Sequence, residues 1–323
     1  ANLKVLSSND VLGGTSRNCA GGPSPWGWLT CEEVPTGGVW LCPASTASLL
    51  TDADRVRIHA YGSFKHEAVA IDPDTLIAYL TEDDGDSFLY RMVPHDAASD
   101  PFSGQLQAMK RVGVDSFNTA GRSPGESVPI EWVDVSADTP RSDAQAAAAT
   151  IVVRGEGIWW FDGVAYFSAT SNGQVFQLEP NATNTGGTLT LLADTLDAPD
   201  NITVAPWGDL FVAEDNGRAN YIRIVDATGG VVDFARNQLD PALEFCGVCF
   251  SPDGKVLFVN MQSRGLTFAI TGPFPDAQKG GSGSGAGGSS GSSGTGGGGT
   301  SASGGGGGGG TGAGTASSGG IDG

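Results

Sequence analysis

Apolar residues in this chain come in short runs of about four to six, and about half of the runs end at Asp or Pro. Runs of that length suit strands better than helices, and they predict strands over residues 39–42, 56–60, 68–71, 77–81, 88–93, 151–153 and 158–161. Further strands are predicted over 164–169, 174–178, 189–193, 202–205, 210–213, 222–225, 249–251 and 257–260. Asp83-Asp84-Gly85-Asp86, Asp162-Gly163, Ser171-Asn172-Gly173 and Asp253-Gly254 supply turns between them. One short helix is predicted, over 142–149. The stretch from Asn18-Cys19-Ala20-Gly21-Gly22-Pro23 to Leu29-Thr30-Cys31-Glu32-Glu33 breaks this rhythm. Its glycines and prolines point to a fixed, non-regular backbone that holds a thiol beside two carboxylates.

A turn followed by a strand with large apolar residues recurs in three places. These are Phe161-Asp162-Gly163-Val164-Ala165-Tyr166-Phe167, Trp207-Gly208-Asp209-Leu210-Phe211-Val212 and Pro252-Asp253-Gly254-Lys255-Val256-Leu257-Phe258-Val259. Their spacing, roughly forty to fifty residues, is that of β-propeller blades. The expected fold is therefore all-β, a β-propeller, with a sandwich or irregular barrel as the rival arrangement of the same strands. In a propeller the innermost strands carry distant residues to one end of a common axis.

That convergence gives meaning to the carboxylates. Glu32-Glu33, Glu67, Glu82-Asp83, Glu156, Asp200-Asn201, Glu214-Asp215 and Glu244 sit at the ends of apolar strands. One such residue is ordinarily a solvated turn. Several aimed at one axis would repel each other unless a cation neutralised them. Oxygen-rich, flexible sites suit Ca²⁺, whereas the Cys19 thiolate suits a transition metal, so the residues imply a mixed site or two sites. Arg154, at the end of Ile151-Val152-Val153 and beside Gly155-Glu156, could pair with Glu156 or present its fork to phosphate or carboxylate oxygens.

Composition narrows the field. The net charge is −19, with 17 basic against 36 acidic residues, which argues against nucleic-acid binding. No apolar run is long enough to cross a membrane as a helix. The three histidines are too scattered for a histidine-rich zinc centre, and neither Gly-x-Ser-x-Gly, His-Glu-x-x-His nor a P-loop is present. Of the five cysteines, Cys31 could pair with Cys42 and Cys246 with Cys249, leaving Cys19 free. Residues 280–323 are almost wholly Gly, Ser, Thr and Ala and read as a disordered linker spanning roughly 35 Å. Residues 1–279 read as one domain. A spacer of this kind commonly ties an exported domain to a surface anchor, so export is expected, as is a monomer.

Taken together, the motifs resemble those of the PhoX-type alkaline phosphatases. The resemblance is carried by Asn18-Cys19-Ala20-Gly21-Gly22, Trp28-Leu29-Thr30-Cys31-Glu32-Glu33, His66-Glu67-Ala68-Val69 and Tyr79-Leu80-Thr81-Glu82-Asp83-Asp84. It continues through Arg154-Gly155-Glu156-Gly157, Pro199-Asp200-Asn201-Ile202, Trp207-Gly208-Asp209-Leu210, Glu214-Asp215, Glu244-Phe245 and Phe250-Ser251-Pro252-Asp253-Gly254. It implies a propeller that hydrolyses small phosphate monoesters at a mixed iron–calcium site. By position, Cys19 and Glu33 would be iron-side ligands with Glu67 beside them, and Glu156, Asp200, Glu214 and Glu244 calcium-side ligands. Arg154 would hold phosphate and act in catalysis. Members carry a further histidine- and asparagine-containing region ahead of this start, so the propeller is expected to lack a blade at its N-terminus or to belong to a longer protein. Two other readings of the same residues stay open: a calcium-stabilised binding propeller without catalysis, and a calcium-dependent lactonase or esterase.

Overall fold

The structure, a computed structural model, describes residues 4–240 and 243–276; the linker expected over 280–323 lies outside them. Among the described residues the chain is all-β, with one short helix, α1 (Pro140–Ala146), and three 3₁₀ turns. Sheet I contains β1 (Asn18–Ser24), β2 (Gly27–Glu32), β3 (Val39–Pro43) and β4 (Val56–Arg57). Sheet II contains β5 (His66–Ile71), β6 (Ala78–Glu82), β8 (Tyr90–Asp96) and β9 (Asp100–Arg111), with the two-residue β7 (Ser87–Phe88) pairing separately with β11 (Ile151–Val152). Next, β10 (Ser127–Asp134) pairs with β9 on one side and β15 on the other, joining sheet II to sheet III. Sheet III contains β12 (Gly155–Phe161), β13 (Val164–Ala169), β14 (Gln174–Pro180) and β15 (Gly186–Ala193). Sheet IV contains β16 (Pro199–Val204), β17 (Leu210–Glu214), β18 (Tyr221–Val225) and β19 (Val231–Arg236), and sheet V contains β20 (Phe245–Phe250), β21 (Val256–Met261) and β22 (Leu266–Thr271).

These sheets are antiparallel meanders packed face to face in chain order. Val69 and Ile71 of β5 join Leu29, Val39 and Leu41 of sheet I, while Ala68 and Ala70 of the same strand join Ile158, Trp160 and Phe167 of sheet III. Strand alternation thus sends one set of side chains to each neighbour, and every residue of β5 is buried. A third apolar layer lies between sheets III and IV around Val175, Ile202, Val204 and Val212; a fourth lies between IV and V around Phe211, Phe245, Val248 and Leu257. Burial on both faces explains why these strands appear in the sequence as unbroken apolar runs. The recurring turns join the first and second strands of sheets III, IV and V.

One irregularity is repeated in all five sheets. At the start of each first strand, two residues face one on its neighbour: Cys19 and Ala20 between Asn18 and Gly21, and Glu67 and Ala68 between His66 and Val69. The same break falls at Glu156-Gly157, Asp200-Asn201 and Gly247-Val248. A β-bulge of this kind leaves a residue unpaired and redirects its side chain.

The structure departs from the sequence expectations in instructive places. The Asn18-to-Glu33 stretch is a bulged hairpin, β1 paired to β2, and not an irregular loop. Gly21 and Gly27 adopt φ of +136° and +143°, and a side chain at Gly22 would strike the Val69 carbonyl, so the glycines permit close strand packing. First strands begin about three residues before the apolar runs that announced them, because the bulge is polar. Strands β9, β10, β19 and β22 were not expected; their exposed faces dilute the apolar signal. The helix starts two residues earlier than expected, with Pro140 in its first turn. All five cysteines are free thiols, so neither suggested pair forms.

Candidate metal centre

The first bulge residue is Cys19 in sheet I, Glu67 in II, Glu156 in III, Asp200 in IV and Gly247 in V. The fold brings the first four together. Ligand atoms of Cys19, Glu33 and Glu67 all lie within 4.8 Å of one another, as do those of Glu67, Glu156 and Asp200, so Glu67 belongs to both groups. From sheet II onward, neighbouring sheets are bonded at their bulges. Thr81 Oγ1 donates to the Glu156 carbonyl, Ser168 Oγ to the Asp200 carbonyl, and Thr170 Oγ1 to the Pro199 carbonyl at 2.7 Å. The Val248 N–H donates to Asn201 Oδ1 at 2.8 Å.

Burial and mutual repulsion dominate the electrostatics. Burial, then the neighbouring Asp200, pushes Glu67 and Glu156 well above the usual carboxylate range. Asp200 is pushed up to about 7 by burial and Asp215, and Glu244 to about 8 by the same two causes. Cys19 is exposed as a residue, yet burial of its thiol and the adjacent Glu67 hold it well above an ordinary thiol. Glu156 Oε1 is buried and receives no well-directed hydrogen bond, although Arg154 Nη2 lies 2.8 Å away. Carboxylates left in this condition call for a counter-charge that the protein does not itself supply. A divalent cation fits the oxygen-rich group, where bonds of about 2.3–2.6 Å would be made, and the thiol-containing group suits a transition metal.

Arg154 stands at the edge of this centre with φ +56°, its N–H donating to the Asp84 carbonyl. Its Nε and Nη2 donate to the two Asp83 oxygens at 2.7 and 3.1 Å, so the contact to Glu156 is the smaller part of its anchorage. Glu244 lies outside both groups and lines the same cleft as Asp200, whose charge, with that of Asp215, acts on its carboxyl. A cleft of about 390 Å³ opens beside the centre, lined by Cys19, Glu67, Asp200, Glu244, Trp28 and Trp159.

Glu214, expected among the ligands, is in neither group. Its Oε1 accepts from Arg223 Nε at 2.9 Å and from the Asp197 N–H at 3.0 Å, inside sheet IV. The residue after it, Asp215, is the one that faces Asp200 and Glu244. Sheet II repeats the arrangement: Glu82 accepts from the Phe88 N–H and from Arg141, while Asp83 holds Arg154. In sheet I, Glu32 accepts from the Ser16 and Gly38 N–H groups, and Glu33 reaches Cys19. In every acidic pair the first carboxylate ends the second strand and serves its own sheet, and the second points to the centre. Asp83 and Asp215 stand among the strand-end carboxylates of the sequence but not among its expected ligands. Their signal was present in the pairing itself, since the residue that continues a buried strand is the one already committed to the sheet.

No curated protein matches the chain. Among solved structures, a protein provisionally described as a gluconolactonase aligns at 11% identity over 78% of this chain and 72% of its own, with a TM-score of 0.47. A Lactobacillus plantarum protein aligns at 15% identity over 81% and 72%, TM-score 0.41, and a luciferin-regenerating enzyme at 14% over 82% and 80%, TM-score 0.44. The family described as alkaline phosphatase PhoX matches in three overlapping segments, residues 3–56, 47–195 and 190–265, which together cover most of the chain and all of the centre. With the bulge residues, the acidic pairs and Arg154 all inside that match, the chain belongs to the PhoX alkaline phosphatase family.

Proposed function

We propose that this protein is a metal-dependent phosphatase that hydrolyses small phosphate monoesters, with its five sheets arranged as propeller blades around the centre. The observation that carries this reading is the pair of donor groups sharing Glu67, with Arg154 Nη2 2.8 Å from Glu156 at their edge. Cys19, Glu33 and Glu67 would hold iron, and Glu67, Glu156 and Asp200 calcium, with Glu244 and Asp215 as outer support. Bound there, such ions would neutralise phosphoryl oxygens and lower the pKa of water. Asp83 fixes Arg154 through Nε and Nη2, which leaves Nη1 to meet an equatorial phosphoryl oxygen as charge develops on it. The sheet-to-sheet bonds from Thr81 and Ser168 keep the carboxylates from relaxing apart, so their positions are set before substrate arrives.

Supporting this reading, the family is metal-dependent and acts on phosphate esters. No described helix is long and apolar enough to cross a membrane. We take the protein to be exported and monomeric. The test is metal content together with hydrolysis of 4-nitrophenyl phosphate, before and after chelation. Iron and calcium in the purified protein, with turnover lost on chelation and restored by metal, is the expected result. Undiminished turnover after complete metal removal would overturn it.

A further inference from the structure

The five-fold repetition extends to the residue ahead of each first strand. Its carbonyl accepts a hydrogen bond from the residue that follows the second strand. Arg17 accepts from Glu33 at 3.0 Å, Lys65 from Asp83 at 3.3 Å and Arg154 from Thr170 at 3.0 Å. Ala198 accepts from Asp215 at 2.9 Å and Glu244 from Gln262 at 3.4 Å. Arg17, Lys65 and Arg154 therefore occupy one structural position in sheets I, II and III. Arg17 and Arg154 also share the left-handed backbone, with φ of +45° and +56°, which is uncommon for side chains of this kind.

Each of the three cations is tethered to an acid at the rim. Arg17 Nη2 lies 3.0 Å from Glu33 Oε2, and Lys65 Nζ lies 3.2 Å from Asp84 Oδ2. Arg17 nevertheless leaves 69% of its side chain in solvent, more than the 42% of Arg154. A single ion pair through one nitrogen leaves most of its fork free for another anion. Glu33 and Glu67 share one donor group, and Glu67 and Glu156 the other, so Arg17 and Arg154 stand at the two ends of one short row of carboxylates. In a chain of charge −19, cations that share one position beside an acidic centre are where an anionic substrate can be drawn in and oriented.

We propose that Arg17 and Lys65 bind a second phosphate group of the substrate while Arg154 holds the one being cleaved. The inference rests on the phosphatase reading and narrows its substrate class to esters that carry a further phosphate, such as nucleoside diphosphates. Neither residue is assigned a part in bond cleavage; both are specificity residues.

The experiment compares kcat/KM for a nucleoside diphosphate, the matching monophosphate and 4-nitrophenyl phosphate in wild type, Arg17→Ala, Arg17→Lys and Lys65→Ala, with metal content measured on each protein. Wild type should favour the diphosphate. Arg17→Ala and Lys65→Ala should each lower that preference by about ten-fold, mainly through KM, and Arg17→Lys should recover part of it. An equal fall on all three substrates, or an unchanged preference, overturns the proposal. Lys65 touches none of the grouped donor residues, so its variant keeps the test decisive if Arg17→Ala disturbs Glu33. A wild-type protein that cleaves monophosphates without favouring the diphosphate removes this inference alone. One that cleaves no phosphate ester with metals restored removes the phosphatase reading beneath it.

Discussion

Gly157 is the second bulge residue of β12, between Glu156 and the start of the apolar run, and it faces the bulge of β16. A Cβ built on it would sit 2.6 Å from the Ile202 nitrogen and 2.9 Å from both the Asn201 Cα and the Asp200 carbonyl oxygen. All three are backbone atoms, so no side chain can swing aside. Gly157→Ala must therefore part β12 from β16 by roughly an ångström, at a cost typical of overpacking, about 1–3 kcal/mol. For a domain of this size that is a fall in Tm of roughly 2–10 °C. The same displacement opens the gap between Glu156 and Asp200, whose oxygens share a 4.8 Å group with Glu67. A misplacement of about 1 Å in a preorganised site can lower turnover about 100-fold. Thermal unfolding, metal content and phosphomonoester turnover should be read on the same preparation. Gly85→Ala is the control, since nothing lies within 4 Å of a Cβ there. Wild-type Tm and turnover in Gly157→Ala would refute the claim that this glycine sets the spacing of the centre, and a lower Tm with full turnover and full metal would refute its link to function.

Other outcomes follow from the same geometry. Arg154→Ala should lower kcat/KM by about 10²–10³-fold while the circular dichroism spectrum stays native, and full activity would remove Arg154 from phosphate binding. Thr81→Val leaves the buried Glu156 carbonyl and Ala68 N–H without their hydroxyl partner, so urea denaturation should show a loss of about 1–3 kcal/mol. In metal-free protein, Asp200 and Glu244 titrate near 7 and 8 when folded and near 4 when unfolded. The folded state then binds more protons across that window, so the stabilising contribution is complete below about pH 4 and lost as pH rises toward 8. Chelated protein should unfold at lower denaturant at pH 8 than at pH 5, and added Ca²⁺ should reverse the trend; a pH-independent midpoint would contradict it.

The strands that the sequence announced are those buried on both faces. Val69 and Ile71 pack one way, Ala68 and Ala70 the other, and no polar residue interrupts the run. Edge and outer strands such as β9 and β22 mix exposed and buried positions and carry no comparable mark. The head of each first strand was hidden for a different reason: the bulge exchanges apolar residues for Cys19, Glu67, Glu156 and Asp200, so the chemistry of the centre masks the strand that carries it. Those four residues were legible as candidates from residue type and motif alone. The choice within each acidic pair was not, because Glu214 is the last residue of β17 and Asp215 the first beyond it, and only the pairing of Pro199 with Glu214 settles where the strand ends.

Gly247 is the fifth occupant of the bulge position, and it is the one without a side chain. Its φ of +59° is the backbone geometry that Asn and Asp tolerate best after glycine. The closest atom to a Cβ there is the Asn260 side-chain amide nitrogen, the movable end of a side chain, whereas at Gly157 every obstacle is main chain. The architecture thus contains a bare position at the same register as the four that bear donors, on a left-handed backbone that those four do not share. A designer wishing to alter ion preference could fit a carboxylate into it without redrawing the scaffold.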